Sequence, residues 1–124
     1  MKLVLIVAGS RTFRDYALMA RKLDHLTQHY DTVEVVSGTA KGADSLGERW
    51  AEARGHKVTQ MPADWNRYGR QAGFMRNVHM AEYALTHEHC GLAVFWDGAS
   101  RGTKHMLGTA QIKGLPARVI RYEE

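Results

Sequence analysis

The sequence predicts an α/β fold, in which a five-stranded, mostly parallel sheet has helices on both of its faces. Two observations indicate this fold. Short apolar runs alternate with segments of helical periodicity, and segments rich in glycine and hydroxyl side chains follow the apolar runs directly. Right-handed crossovers between parallel strands then give a Rossmann-like, doubly wound sandwich, for which we expect the strand order 3-2-1-4-5.

The five strands are predicted from the apolar runs. The first run, Leu3–Ala8, is apolar at every position, which is typical of a strand buried on both faces of a sheet. The other four strands are predicted at Val33–Ser37, Lys57–Met61, Gly91–Trp96 and Ala117–Tyr122.

Four helices are predicted between these strands. The clearest is the second, because Ala43, Leu46, Gly47, Trp50 and Ala51 follow the spacing i, i+3, i+4, i+7, i+8. The other helical patterns cover residues 16–30, 74–85 and 103–110. Glycines that can adopt positive φ end two of the helices, at Gly55 and Gly114.

The composition indicates one globular domain over residues 1–124. The chain has 124 residues, of which 44% are hydrophobic and 24% charged, and these values exclude a disordered or collagen-like protein. The longest apolar run is far shorter than the about 20 residues that span a bilayer, and it is a poor secretory signal. A single cysteine, Cys90, cannot form an internal disulfide. We therefore expect a cytoplasmic protein with no membrane partner.

The net charge of +4 is mild, and no run of five lysines or arginines occurs. A solvated surface with one local anion site explains it better than a nucleic-acid interface, which usually carries clustered cations. We expect neither a metal nor a cofactor. His87, His89 and Cys90 are closely spaced, but they lie where a helix should end and are more typical of structural positions than of zinc ligands.

Ligands of open parallel sheets bind at the carboxyl ends of the strands, and the informative segments of this chain lie there. Glycines and hydroxyl side chains follow the first strand at 9–12 and the second at 37–44, where a helix begins directly afterwards. Backbone amides and a helix N-terminus of this kind can hold an anion. Asp44, in the first turn of that helix, is either a helix cap or an acceptor for a sugar hydroxyl.

The connection after the third strand, residues 62–77, is long enough to be a binding loop. If the helix that ends this connection begins near Gly69, Arg70 and Asn77 lie on the same face of that helix. Arg70 then faces the anion-binding segments that follow the first and second strands, and Arg76 lies slightly further round the helix. Trp65 either covers the sheet edge or stacks on a base.

Two glycines bracket a serine after the fourth strand, in residues 97–103, and predict a second anion-binding turn. Two such turns on neighbouring strands favour a ligand with phosphate and sugar. Sixteen residues are thereby candidates for ligand contact: Gly9, Ser10, Arg11, Gly38, Thr39, Lys41, Gly42, Asp44, Trp65, Arg70, Arg76, Asn77, Gly98, Ser100, Gly102 and Thr103.

Taken together and in order, the segments 9–11, 38–44, 62–65, 69–80 and 97–103 resemble the YspA-like, YpsA-related branch of the SLOG superfamily, whose relatives include the DprA/Smf and LOG proteins. The resemblance covers nearly the whole chain. It implies a Rossmann-like fold that binds a nucleotide or a nucleotide-derived ligand, and it associates the chain with phage or bacterial systems. In the LOG branch it also implies hydrolysis of a nucleoside monophosphate to base and ribose phosphate. Met106 stands where that branch has its catalytic glutamate.

Three functions follow as hypotheses. The first is a sensor or binding module for a nucleotide or an ADP-ribose-like ligand, in which relatives often pair and a homo-oligomer is possible. The second is an enzyme that cleaves or transfers at an N-glycosidic bond, for which Asp97 and Asp44 are the candidate carboxylates. The third is binding of single-stranded nucleic acid, which generally needs basic and aromatic residues clustered on one face.

Overall fold

The computed structural model describes residues 1–122, and its centre is a five-stranded sheet in which every pairing is parallel. The strand order is β3-β2-β1-β4-β5, as predicted. The strands are β1 (Lys2–Gly9), β2 (Thr32–Ser37), β3 (Lys57–Gln60), β4 (Cys90–Trp96) and β5 (Ala117–Arg121). All five predicted strands are confirmed, with ends that differ by one residue at most.

Strand β1 forms the middle of the sheet and is buried on both faces. Leu5 pairs with Val35 of β2 on one side and with Gly91 of β4 on the other. The unbroken apolar run of β1 is therefore explained by burial, since helices cover both of its faces.

The helices are α1 (Tyr16–Thr27), α2 (Ala43–Ala53), α3 (Trp65–Tyr68), α4 (Ala72–Leu85) and α5 (Arg101–Lys113). Helices α1 and α2 pack on one face of the sheet, where Met19, Leu23 and Trp50 are completely buried against the odd-numbered side chains of β1. Helices α4 and α5 pack on the other face, where Met80 and Met106 contact the even-numbered ones. Helices thus cover both faces, as a doubly wound sheet requires. None of the helices in residues 1–122 is long and apolar enough to cross a membrane.

The segment before α4 differs from its prediction. A helix beginning near Gly69 was expected, but Gly69 has a φ of +56° and ends the short α3, and Gly69–Gln71 form a single 3-10 turn before α4 begins at Ala72. Arg70 and Asn77 therefore do not belong to one continuous α-helix, and the prediction that they share a helix face is wrong. A positive φ at glycine interrupts helical hydrogen bonding where the spacing of apolar residues gives no sign of it.

Candidate functional site

The loops that follow β1, β2 and β4 lie side by side at one edge of the sheet. The chain runs outward in one direction from β1 to β3 and then in the other from β4 to β5. The strand order thus reverses between β1 and β4, and parallel sheets open a crevice at such a reversal. The predicted glycine-bearing segments all border this crevice.

The backbone at the end of β1 is packed too closely for residue 9 to carry a side chain. A Cβ on Gly9 would lie 2.2 Å from the Phe95 carbonyl oxygen of β4 and 2.8 Å from the Ala43 Cβ of α2. The next residue, Ser10, is buried, and its hydroxyl accepts a hydrogen bond from the Asp97 amide at 3.0 Å. Its carbonyl accepts a bond from the Ala43 amide at 3.2 Å. Ser10 therefore joins the loop after β4 and the start of α2 to β1.

The loop after β2 makes two backbone turns with positive φ before α2 begins. Thr39 has a φ of +65°, which is strained for a β-branched residue, and its amide donates to the Ser37 hydroxyl at 3.1 Å. Gly42 has a φ of +74°, and a Cβ there would lie 2.4 Å from the Ser10 carbonyl oxygen. These turns bring residues 38–41 against the crevice.

Arg76 of α4 reaches across to this loop. One of its terminal nitrogens donates a short hydrogen bond to the Gly38 carbonyl oxygen, and its Nε donates to the Asn77 Oδ1 at 3.2 Å. Burial lowers the pKa of Arg76, while the nearby Asp44 carboxylate opposes that shift. An arginine keeps its charge in proteins, so the site contains a half-buried, fixed guanidinium.

Asp44, in the first turn of α2, is a buried carboxyl with only 5% of its surface exposed. Burial raises the pKa of Asp44 to about 6, against opposing contributions from the Ala40 amide and the Arg76 and Arg11 charges. The Ala40 amide donates to its Oδ2 at 3.2 Å, so the carboxyl holds the preceding loop. Its titration range lies close to neutral pH, which is common for acids and bases in functional sites.

Asn77 connects the two helices on the other side of the crevice. Its Nδ2 donates to the Gly102 carbonyl oxygen at 3.3 Å and lies 3.1 Å from the His105 Nδ1, while its Oδ1 accepts from Arg76. The His105 ring stacks on Phe74, with 4.1 Å between the ring centroids. A single buried amide thus fixes both the guanidinium and the first turn of α5.

The turn after β4 is closed by its own aspartate. The Asp97 Oδ1 accepts hydrogen bonds from the amides of Ala99 at 2.8 Å and Ser100 at 3.0 Å, and these bonds lower the pKa of Asp97. Ser100 then caps α5, with its hydroxyl accepting from the Thr103 amide. Two amides of the predicted second anion turn are therefore bonded to Asp97.

Two adjoining cavities occupy the crevice, and Arg11, Ala40 and Arg76 line both of them. We call them the inner and the outer lobe. The inner lobe, of about 250 Å³, is lined by Ala8, Gly9, Arg11, Ala40, Asp44, Arg76, Asn77, Met80, Ser100, Arg101, Gly102, Thr103 and Met106. The outer lobe, of about 520 Å³, is lined by Arg11, Gly38, Thr39, Ala40, Lys41, Pro62, Ala63, Trp65 and Arg76.

Most of the residues singled out from the sequence line one of these lobes. Five of them line neither lobe: Ser10, Gly42, Arg70, Asp97 and Gly98. Arg70 is exposed, and Gly98 packs against the Arg121 guanidinium, which a Cβ would approach to 2.3 Å. Trp65 is 57% exposed and borders the outer lobe rather than covering the sheet edge.

The sequence did not indicate which apolar residues line the inner lobe. Ala8, Met80 and Met106 line it, and each of them fits the apolar periodicity of a strand or helix, which gives no sign that the residue borders a cavity. Arg101 was also missed, although it stands between two residues that were chosen. Within residues 1–122, no group of three or more His, Cys, Asp or Glu side chains is arranged to hold a metal ion.

Comparison with known proteins finds a phage relative and a solved structure of similar fold. The "Gene 61 protein" of Mycobacterium phage D29 is 34% identical over 118 residues, which are 90% of this chain and 91% of the phage protein. The crystal structure of UDP-GlcNAc 2-epimerase from Neisseria meningitidis bound to UDP-GlcNAc superposes with a TM-score of 0.59 at 14% identity. That match covers 97% of this chain and 32% of the epimerase chain, and so shows a shared Rossmann-like fold over about a third of the epimerase.

A family model also matches the chain directly. It spans residues 3–68, from β1 to the end of α3, and includes Gly38 in the loop after β2 and Asp44 in the first turn of α2. With more than half of the chain matched and a phage relative aligned over nearly its full length, this protein belongs to the YspA, cpYpsA-related SLOG family.

Proposed function

We propose that the two-lobed crevice binds a nucleotide or a nucleotide-derived, phosphorylated ligand such as ADP-ribose, and that the protein acts as a binding module or sensor. The observation that carries the proposal is the position of Arg76. Its guanidinium borders both lobes and is held by the Gly38 carbonyl and the Asn77 side chain.

The charge of the lining supports a phosphorylated ligand. Among residues 1–122, four cations line the two lobes, namely Arg11, Lys41, Arg76 and Arg101, against the single carboxyl of Asp44. Guanidinium groups bind phosphate oxygens with paired hydrogen bonds, and a fixed guanidinium loses little entropy on binding. In this proposal the phosphate lies at Arg76 and Arg11, where the lobes join.

The two lobes differ in chemistry, which supports a ligand with two different ends. The exposed Trp65 ring and Pro62 border the outer lobe and offer a surface on which a base can stack. The inner lobe combines the Asp44 carboxyl with the apolar side chains of Met80 and Met106. A sugar suits that combination, because its hydroxyls donate to the carboxylate and its ring carbons contact the methionines.

Calorimetric titration with AMP, ADP-ribose and adenosine tests this proposal. We expect Arg76→Ala to weaken AMP and ADP-ribose about tenfold or more, since a charge-assisted hydrogen bond contributes about 1.5–3 kcal/mol, and to leave adenosine nearly unchanged. Arg70→Ala is the matched control, because Arg70 is exposed and lines neither lobe. Equal affinity of the wild type for AMP and adenosine would refute the phosphate site.

A second candidate, hydrolysis of an N-glycosidic bond, is favoured by one observation. The Asp44 carboxyl, with a pKa raised to about 6 by burial, lines the same lobe as Met106, which occupies the position of the LOG glutamate. In this reaction a water oxygen bonds to C1′, and the C1′–N bond breaks with its electron pair passing to the base. The Asp44 carboxylate accepts the water proton, which then passes to the base nitrogen.

Incubation with AMP and chromatography for free adenine separates the two candidates. If adenine is released, we expect Asp44→Asn to slow the release about 100-fold, the usual contribution of a general acid or base. Binding without release leaves the protein a binding module. Release that is unchanged in Asp44→Asn rules Asp44 out as the acid–base group.

A further inference from the structure

A second concave surface lies away from the crevice, between α1 and the edge strand β5. It encloses about 600 Å³, and Leu26 and Arg118 also line a neighbouring hollow of about 270 Å³. Together the two hollows form a groove along the seam between helix and strand. We call it the β5 groove. Its apolar contacts include Leu18, Leu26 and Ile120.

The walls of the β5 groove carry cations without matching acids. Arg21 and Lys22 of α1 and Arg118 of β5 carry cations toward it, together with His25. Arg121 also lines it, but its guanidinium lies on the other face of β5, over the Trp96 ring and against Gly98. In residues 1–122, none of these arginines and lysines forms an ion pair, and no Asp or Glu lines either hollow.

Strand β5 also presents an open backbone edge. Leu92 donates its amide to the Pro116 carbonyl, and Tyr122 donates its amide to the Trp96 carbonyl. In a parallel ladder, alternate residues point both backbone groups to the same neighbour, so the groups of Ala117, Val119 and Arg121 point away from β4. An open edge of this kind can hydrogen-bond with an added strand.

We propose that the β5 groove binds an extended, acidic peptide segment of a partner protein, which adds to β5 as a sixth strand. Its carboxylates face α1 and pair with the cations of Arg21, Lys22 and Arg118. Its alternate apolar side chains lie on the other face of the sheet beside the exposed Val119, and its backbone bonds the outward groups of β5. The inference is independent of the function proposed for the crevice, because none of the residues lining the 600 Å³ hollow lines either lobe.

Two other occupants fit the groove less well. Single-stranded nucleic acid is usually held by stacking on several aromatic rings, and Tyr30 is the one Phe, Tyr or Trp residue of the described chain that lines the β5 groove. A second copy that paired through β5 would bring Arg118 and Arg121 of both copies together at one edge, and like charges facing across strands are destabilising.

The probe is a fluorescein-labelled octapeptide of alternating Glu and Val, measured by anisotropy against the intact protein. Two comparison probes are the same peptide with Gln for Glu and an eight-nucleotide oligothymidylate. We expect the acidic peptide to bind at least about tenfold more tightly than the Gln peptide, since removing several ion pairs costs more than 1.4 kcal/mol. Tighter binding of the oligothymidylate, or equal binding of both peptides, would overturn the proposal.

The double variant Lys22→Glu, Arg118→Glu should weaken the acidic peptide at least about tenfold, because both side chains carry cations at the β5 groove. The double variant Arg67→Glu, Arg70→Glu is the matched control, because it changes the charge by the same amount at two exposed arginines that do not line the groove, and it should leave the affinity within about twofold. An equal loss of peptide affinity in the control would mean that net charge alone causes the effect, and it would overturn the proposal.

Hydrogen exchange on the wild type tests strand addition without any variant. The bound peptide should slow exchange at the outward amides of Val119 and Arg121. A peptide of equal charge with alternate backbone nitrogens methylated on its β5-facing edge should lose this protection and bind at least about tenfold more weakly. Unchanged binding of the methylated peptide would exclude the added strand.

Discussion

Arg76 and Asp44 flank the same glycine. A Cβ on Gly38 would lie 2.6 Å from an Arg76 terminal nitrogen and 2.9 Å from the Asp44 Oδ2. The cation of α4 and the carboxyl of α2 therefore come together only because residue 38 has no side chain. This arrangement places a cation from α4 and a carboxyl from α2 at the inner lobe, where neither helix alone could supply both groups.

The first prediction concerns this glycine. In Gly38→Ala the new methyl group displaces the Arg76 guanidinium, so we expect AMP binding to weaken about tenfold while the free energy of unfolding falls by only about 1 kcal/mol, because the end of a long side chain can move. Calorimetry and urea unfolding measure the two effects.

Gly108→Ala is the matched control for this substitution. A Cβ on Gly108 would meet no atom within 4 Å, and Gly108 lies inside α5. We expect it to stabilise the protein by about 0.5–1 kcal/mol with unchanged binding. If Gly38→Ala bound AMP like the wild type, the glycine would have no part in positioning Arg76.

Much of the fold could be predicted from the sequence because its signals are local. The apolar run of β1 and the alternation of strand and helix sufficed for the strands and their order. The start of α4 could not be predicted, since it depends on the positive φ of Gly69, which many loop glycines could adopt. Apolar spacing is the same whether or not one turn of the backbone is interrupted.

The crevice could be predicted only as a set of strand ends. Which side chains meet there depends on the direction that each side chain takes, and the sequence does not contain that information. Arg76, and not Arg70, is the arginine that contacts Gly38. The positive φ of Thr39 could not be predicted either, because threonine rarely adopts such a conformation. By contrast, the closed turn of Asp97 is a local pattern, since aspartate commonly accepts from the amide two residues later.

Asp44 should make stability depend on pH near neutrality. Burial raises the pKa of Asp44 to about 6 from its ordinary 3.8, so the folded state binds a proton more tightly than the unfolded state does. This contribution to stability is present below pH about 4 and is lost as pH rises to about 6. We expect Asp44→Asn, which cannot ionise, to be more stable than the wild type at pH 7.5 by about 1–3 kcal/mol.

Urea unfolding at pH 4 and pH 7.5 measures this difference. At pH 4 the advantage of Asp44→Asn should nearly vanish, because the wild-type carboxyl is then protonated in the folded state. Asp64→Asn serves as the control, since Asp64 is an exposed carboxylate at the start of α3. If Asp44→Asn raised the free energy of unfolding equally at both pH values, the ionisation of Asp44 would not destabilise the folded protein.

Glu34 should act in the opposite direction, at acid pH. Its carboxyl is fully buried in β2, and burial alone would raise its pKa, but hydrogen bonds from Tyr83, Lys2 and Thr59 outweigh burial and lower the pKa to about 2. The Lys2 Nζ lies 2.9 Å from Oε1. Because the folded pKa lies below the ordinary 4.5, this stabilisation is present above pH about 4.5 and is lost as pH falls to about 2.

We therefore expect Glu34→Gln to lower the free energy of unfolding by about 3 kcal/mol at pH 7, and by progressively less as pH falls from 4.5 to 2. Urea midpoints across this range measure the change, and Glu52→Gln, at an exposed position of α2, is the control. A loss that stayed constant from pH 7 to pH 2 would mean that packing, and not charge, accounts for it.

Asn77 should affect ligand affinity through Arg76. Asn77→Ala removes the oxygen that accepts from the Arg76 Nε and the amide that holds Gly102, so the guanidinium loses one of its two fixed contacts. We expect AMP affinity to fall about fivefold to tenfold, the cost of one hydrogen bond to a charged group. Adenosine affinity should not change.

Calorimetry with both ligands separates this positioning role from a general loss of structure. Asn66→Ala, at an exposed position of α3, is the control and should bind AMP like the wild type. If Asn77→Ala weakened adenosine as much as AMP, the amide would support the crevice as a whole and would have no specific effect on the cation.

Asp97 should prove structural, because its carboxylate is occupied by its own turn. Its Oδ1 accepts from two backbone amides, and Asn retains an oxygen at that position whereas Ala does not. We expect Asp97→Ala to lower the free energy of unfolding by about 1–2 kcal/mol and Asp97→Asn to cost less than about half of that. Because these bonds also lower the pKa of Asp97, the carboxyl stays ionised at neutral pH and has no proton to donate. Neither AMP affinity nor any release of adenine should then change in Asp97→Asn, and a large loss of release in that variant, with unfolding unchanged, would restore Asp97 as a catalytic candidate.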